Sequence, residues 1–296
     1  GVGILSALLS PGVIYAHGAV RVNQGVLVAT LAMIATAASG SLAAIVLSAG
    51  LMGLAYGATA PASTHLLGPR TPPSMMNLVL SRRQVGVPMA GMLAGLLMPP
   101  LKLRLGWQSA LLVEIVPVVL LGLLLETVRR RWDVRTASPR AASAGLMQPL
   151  RLMHGNAALA RLSFASVVYS GLQVCFIAFM TLDLTSVAGF YLVAAGGAIA
   201  VYQLAGVVSR PIWGFIADHL LAARWLLALQ GLAMAGVAVV AGQFSPAWSP
   251  TGVLLVCVAA GATAAGFTGI AYGEYARLGG SKRTEATGLG AASMFA

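Results

Sequence analysis

The sequence is short of charge. Only 8% of its 296 residues are Asp, Glu, Lys or Arg, against about a quarter in a soluble domain, so the chain has no means of covering a globular surface with polar groups. Acids are scarcest: seven Asp and Glu stand against 18 Lys and Arg, a formal charge of +11. Cysteine is nearly absent. Cys175 and Cys257 lie far apart inside apolar segments, which excludes a disulfide framework or zinc spacing and marks both as small buried hydrophobes. The four histidines, His17, His65, His154 and His219, are scattered singly, and no acid pair falls in mid-segment. A membrane-embedded enzyme needs clustered ligands, such as two histidines and a glutamate on one helix. No enzyme activity, metal or cofactor is therefore expected.

What is present is apolar. Hydrophobic residues make up 58% of the chain, in recurrent runs of roughly 20 residues, enough to cross a hydrocarbon layer of about 30 Å. Only helices and closed barrels span that layer, and the runs are continuous rather than alternating. The fold class is an all-α polytopic membrane protein. Nine spans are expected: 1–19, 22–39, 42–67, 75–101, 105–128, 157–184, 189–221, 225–244 and 252–276, followed by a stump from Glu285 to Ala296. Both ends of the chain look cut.

The positive charge is distributed by side. When the spans are threaded alternately, every lysine and arginine except Lys102 and Arg104 falls on one side. Cytoplasmic loops hold the excess of basic residues, so that side is cytoplasmic, and its partners are anionic lipid headgroups rather than nucleic acid. The largest basic cluster lies in the linker VRRRWDVRTASPRAASAG. It divides the chain into an N-terminal bundle, 1–128, a cytoplasmic linker, 129–156, and a C-terminal bundle, 157–296.

The two parts share a pattern. GVIYAH, from Gly12 to His17, has the shape of GFIADH, from Gly214 to His219, at an offset of 202 residues, and the same offset sets Gly86 against Gly288. Two-half transporters are built from such repeats, and the offset implies a whole of about 375 residues with about twelve spans. The stretch in hand then corresponds to spans two to ten and the start of eleven.

At this point the chain resembles the major facilitator superfamily. The family's cytoplasmic motif runs Gly-x-x-x-Asp-Arg-x-Gly-Arg-Arg. Gly214 and Asp218 match its first and fifth positions, His219 replaces the first arginine, and Arg224 is the nearest later basic residue. Gly12 matches in the first copy, where Ala16 replaces the aspartate. SRRQVGVPMAGMLAGLLMPPLKLRLGW is similar to the fifth span and following turn of bacterial members, QLAGVVSRPIWGFIAD to their eighth span, and GFTGIAYGEYARL to their tenth. The resemblance implies a two-bundle fold and makes Asp218 a latch between the halves in the outward-facing state.

Candidate site residues follow. Arg83 falls about 10 Å inside a span that begins at Met75 or Met76, where a guanidinium facing a cavity suits a carboxylate; the competing reading is a plain positive-inside anchor. Arg210 is expected to pair with Glu274, since ionisable groups at that depth are costly and usually paired. Gln203 is a candidate for a substrate hydrogen bond or for a bond between helices, and Tyr202 for lining a cavity. Glu114 and Asp183, near the outer side, are the weaker candidates to carry a coupling proton. Pro61 and Pro88 mark candidate bends.

These features predict a monomeric permease of the inner membrane, moving a small solute by alternating access. Sparse charge in the spans favours a modestly polar or monoanionic organic substrate. The alternatives are a proton-coupled drug or metabolite exporter of the same fold and a non-transporting truncated product. An exporter of cations would want a central acid, and the interior offers a base instead.

Overall fold

The computed structural model describes residues 1–133 and 147–294. The part of the basic linker at 134–146, with Arg135 and Arg140, and the last two residues of the stump lie outside the described residues. The chain is 89% helical, with no strand among the described residues, which settles helices over a barrel. The helices are α1 (Val2–His17), α2 (Ala19–Ala38), α3 (Leu42–Leu67), α4 (Met76–Gln84), α5 (Gly86–Leu105), α6 (Trp107–Val113) and α7 (Ile115–Trp132). They continue as α8 (Met147–His154), α9 (Ala157–Ser186), α10 (Leu192–His219), α11 (Ala223–Ala241), α12 (Pro250–Ala260), α13 (Phe267–Gly279) and α14 (Arg283–Ser293).

Eight helical runs among the described residues are long and apolar enough to cross a membrane. The expected first span is the exception. As α1 it has 16 residues and is apolar but shorter than a crossing requires. The last expected span, 252–276, and the stump form one helical run, Pro250–Ser293, of 44 residues. At 1.5 Å per residue that run would be roughly twice the thickness of the hydrocarbon layer. It divides at Gly280, whose φ of 53° lies in the left-handed region and ends the helix.

Large apolar side chains lie on the outside, as a lipid solvent requires: Leu123 and Leu124 are each 63% exposed, and Leu232 is 74% exposed. Cys175, expected to be buried, is exposed on α9, while Cys257 is buried.

The helices form two compact units. The first contains Gly1–Arg70, Arg104–Val167 and the chain from Tyr275. In it α1 and α2 pack on α3, α14 packs on α1 and α3, and α7 packs on α2. Asp133, just past α7, accepts backbone hydrogen bonds from Val20 at 3.0 Å and Arg21 at 3.2 Å, and so caps the start of α2.

The second unit is Thr71–Leu103 with Val168–Glu274. Its core joins Phe176, Met180, Tyr202, Met234, Val253 and Cys257. Here α10 lies against α4 and α12, and α5 meets α10 backbone to backbone. A Cβ at Gly196 would stand 2.6 Å from the Gly95 carbonyl oxygen, and one at Gly95 would stand 2.8 Å from that of Gly196. Small residues at such crossings let membrane helices gain contact without side chains.

Candidate functional site

The second unit places the chemistry around two interruptions of helical geometry. The first is in the expected span 75–101, which breaks at Val85 into α4 and α5. Pro88 has no N–H, so the carbonyl four residues earlier, on Gln84, loses its helical donor. Arg210 Nη1 donates to that carbonyl oxygen from α10. The second interruption is a π-helical turn, Gly261–Ala265, between α12 and α13. Arg210 Nε donates to the Ala265 carbonyl at 2.8 Å, and Trp213 Nε1 donates to that of Ala262 at 2.7 Å.

Arg210 is 1% exposed. A buried guanidinium is costly unless its donors are used, and here two of them satisfy carbonyls that irregular helices have released. Glu274, the partner expected from the sequence, is also buried, at the end of the same unit. Gly261 has to be glycine, because a Cβ there would lie 1.9 Å from the Tyr202 carbonyl oxygen.

Asp218 sits one residue before the end of α10. The nearest helix start in sequence is that of α11, at Ala223. The structure gives it a different partner, α4. Asp218 Oδ2 accepts from the Leu78 backbone N–H at 2.8 Å, and Oδ1 accepts from Asn77 Nδ2 at 2.8 Å and the Asn77 N–H at 3.2 Å. These N–H groups belong to the first turn of α4, whose own N-cap residue, Met75, offers no side-chain bond. Asp218 thus supplies the missing cap, with its charge at the positive end of the helix dipole. Gly214 permits this approach, since a Cβ there would fall 2.8 Å from the Ser81 side chain on α4.

The remaining candidates fall as follows. Arg83 lies in the last turn of α4, half-buried, with its guanidinium 5.6 Å from the centre of the Tyr272 ring on α13. Its neighbour Arg82 is exposed. Gln203 is buried over Gly91 of α5, where an added Cβ would meet its amide nitrogen at 2.3 Å. Its side chain thus packs closely against α5. Tyr202 is fully buried in the core, its ring stacked on Phe176 with centroids 6.3 Å apart.

Arg83, Gln203, Tyr202, Arg210, Asp218 and Glu274 all belong to the second unit, and Gly12 belongs to the first. Glu114 stands at the break between α6 and α7, apart from this group. Asp183 lines a cavity of about 400 Å³ between α9 and α11, with Phe176, Phe179 and Phe244.

Sequence reasoning missed Asn77, Trp213 and Tyr272. Tyr272 lies inside GFTGIAYGEYARL, a stretch already singled out, but nothing in one sequence pairs it with Arg83. The one sequence signal for Asn77 is its place just after PPSMM, where a helix begins with free N–H groups.

Residues 5–296 match the family model described as Major Facilitator Superfamily. No curated protein matches the chain.

Proposed function

The chain belongs to the major facilitator superfamily and is a multi-pass membrane transporter; from that premise we propose that it moves a small monoanionic organic solute across the cytoplasmic membrane by alternating access. The observation that carries the substrate class is Arg83. It falls about 10 Å inside the expected span and is half-buried, with its guanidinium over the Tyr272 ring. A guanidinium on an aromatic face keeps its charge, and its planar fork matches the carboxylate of an organic anion.

Asp218 supports the alternating part of the reading. It ties α4, from the N-terminal part of the chain, to α10, from the C-terminal part, through one carboxylate on a helix start. Such a bond is strong enough to hold one state and weak enough to release it, about 1 kcal/mol in typical caps. The halves 1–128 and 157–296, joined by the basic linker on the cytoplasmic side, are the moving bodies in this proposal, and the working unit is a monomer.

The test is uptake into proteoliposomes of radiolabelled lactate and benzoate by the complete protein. Arg83→Ala abolishes uptake while insertion and yield stay normal, and Arg83→Lys retains a small part of it. Unchanged uptake in Arg83→Ala would remove the residue from substrate binding.

A further inference from the structure

The first unit buries a carboxyl group that the transport reading does not use. Glu285, in the first turn of α14, is 5% exposed. Its Oε1 accepts a hydrogen bond from Tyr15 Oη of α1 at 3.2 Å, and its Oε2 is buried with no hydrogen-bond partner among the described residues. The Tyr15 ring meets that of His65, on α3, edge to face with centroids 5.3 Å apart. His65 Nδ1 in turn shares a hydrogen bond with Thr284 Oγ1, next to Glu285, at 3.2 Å. Three titratable side chains from three helices therefore meet in one cluster.

Arg70 and Asp133, past the ends of α3 and α7, lie close enough to act on His65, and the other charged groups around the cluster are bonded elsewhere or exposed. Arg70, past the end of α3, donates to the Leu66 carbonyl at 2.7 Å and stacks over Trp132. Arg283 donates to the Gly280 carbonyl at 3.3 Å. His17 of α1 bonds its own Val13 carbonyl, and Tyr275 of α13 bonds Ser163 and Ser166. Arg151 and His154 of α8, with Arg277 and Lys282, are exposed. No salt bridge among the described residues reaches Glu285.

We propose that Glu285 is a proton-exchange site whose charge state sets how firmly α14 is held against α1 and α3. An ionised carboxylate accepts the Tyr15 O–H in a charge-assisted bond, roughly twice as strong as a neutral one. One proton from the water phase forms an O–H bond at Oε2, the oxygen without a donor; the group goes from charge −1 to 0, and Tyr15 keeps its own proton. The neutral form holds Tyr15 more weakly. Beyond this bond α14 packs closely on α1: a Cβ at Gly288 would stand 2.9 Å from the Ala7 carbonyl oxygen. A buried acid is costly unless it is bonded, and here the one bonded partner among the described residues is Tyr15.

The inference rests on the first unit alone and its readout needs no substrate, so it stands or falls separately from the anion reading. The experiment is infrared difference spectroscopy of the full chain in proteoliposomes, between neutral and acid buffer. The carbonyl band of a neutral carboxylic acid grows on acidification, Glu285→Gln loses one component of it, and Tyr15→Phe shifts that same component in frequency. Identical spectra for wild type and Glu285→Gln would overturn the proposal, as would a component that Tyr15→Phe leaves in place. A pH response that survives Glu285→Gln and disappears in His65→Asn would make the histidine the sensor and also overturn it.

Discussion

Arg210 donates to the carbonyl oxygen of Gln84, the acceptor that Pro88 leaves without a partner inside its own helix. A break in one helix is thereby mended by a side chain of another. Arg210→Met leaves the Gln84 and Ala265 carbonyls buried and unbonded, at a cost of at least about 2 kcal/mol. Restoring the missing N–H with Pro88→Ala supplies one of the two donors, so Arg210→Met costs less in that background. A double-mutant cycle on thermal unfolding in detergent measures the difference; additive costs would mean the two residues do not share the carbonyl.

Asp218→Ala removes the cap of α4 and costs about 1 kcal/mol. Asp218→Asn keeps part of it, since an amide oxygen can still accept one N–H. Amide exchange at Asn77 and Leu78 reads this directly. Both should exchange faster in the alanine variant, with asparagine between alanine and wild type.

Two adjacent glycines of α10 make a matched pair. Gly196→Ala forces a Cβ to within 2.6 Å of the Gly95 carbonyl oxygen, whereas a Cβ at Gly197 meets nothing within 4 Å. The first substitution should lower the yield of folded protein sharply. Gly197→Ala should match or slightly exceed wild type, as alanine is the better helix former. Equal yields would show that α5 and α10 are not in backbone contact.

Trp213→Phe keeps the ring and removes the hydrogen bond to the Ala262 carbonyl in the π-helical turn. The expected loss is about 1 kcal/mol, confined to the turn. Hydrogen exchange across 261–266 should rise by several-fold while α12 is unchanged.

Much of this was legible in the sequence, and the reason is the solvent. A bilayer demands long apolar helices, so the spans could be read from run length alone, and the family from Gly214, Asp218 and the glycine-rich stretches. The motif aspartate is legible near the end of its span, but its partner is not. Helix starts look alike in sequence, and nothing local points past the nearest one, at Ala223, to Asn77, 141 residues away.

The expected helix at 75–101 hid its break, because hydropathy averages over Pro88 and records no unpaired carbonyl. Glu285 was read only as the first residue of a stump. Its role depends on Tyr15, 270 residues away in sequence, which no local pattern connects to it.

The nine-residue helix α4 is gripped by α10 at both ends: Asp218 holds its first turn and Arg210 holds its last carbonyl. The eight residue steps from Arg210 to Asp218 rise about 12 Å, close to the length of α4 itself. Mechanically, α4 is splinted. It cannot bend, slide or turn against α10 without releasing one grip, so any motion of this span concentrates at Val85, where the splint ends.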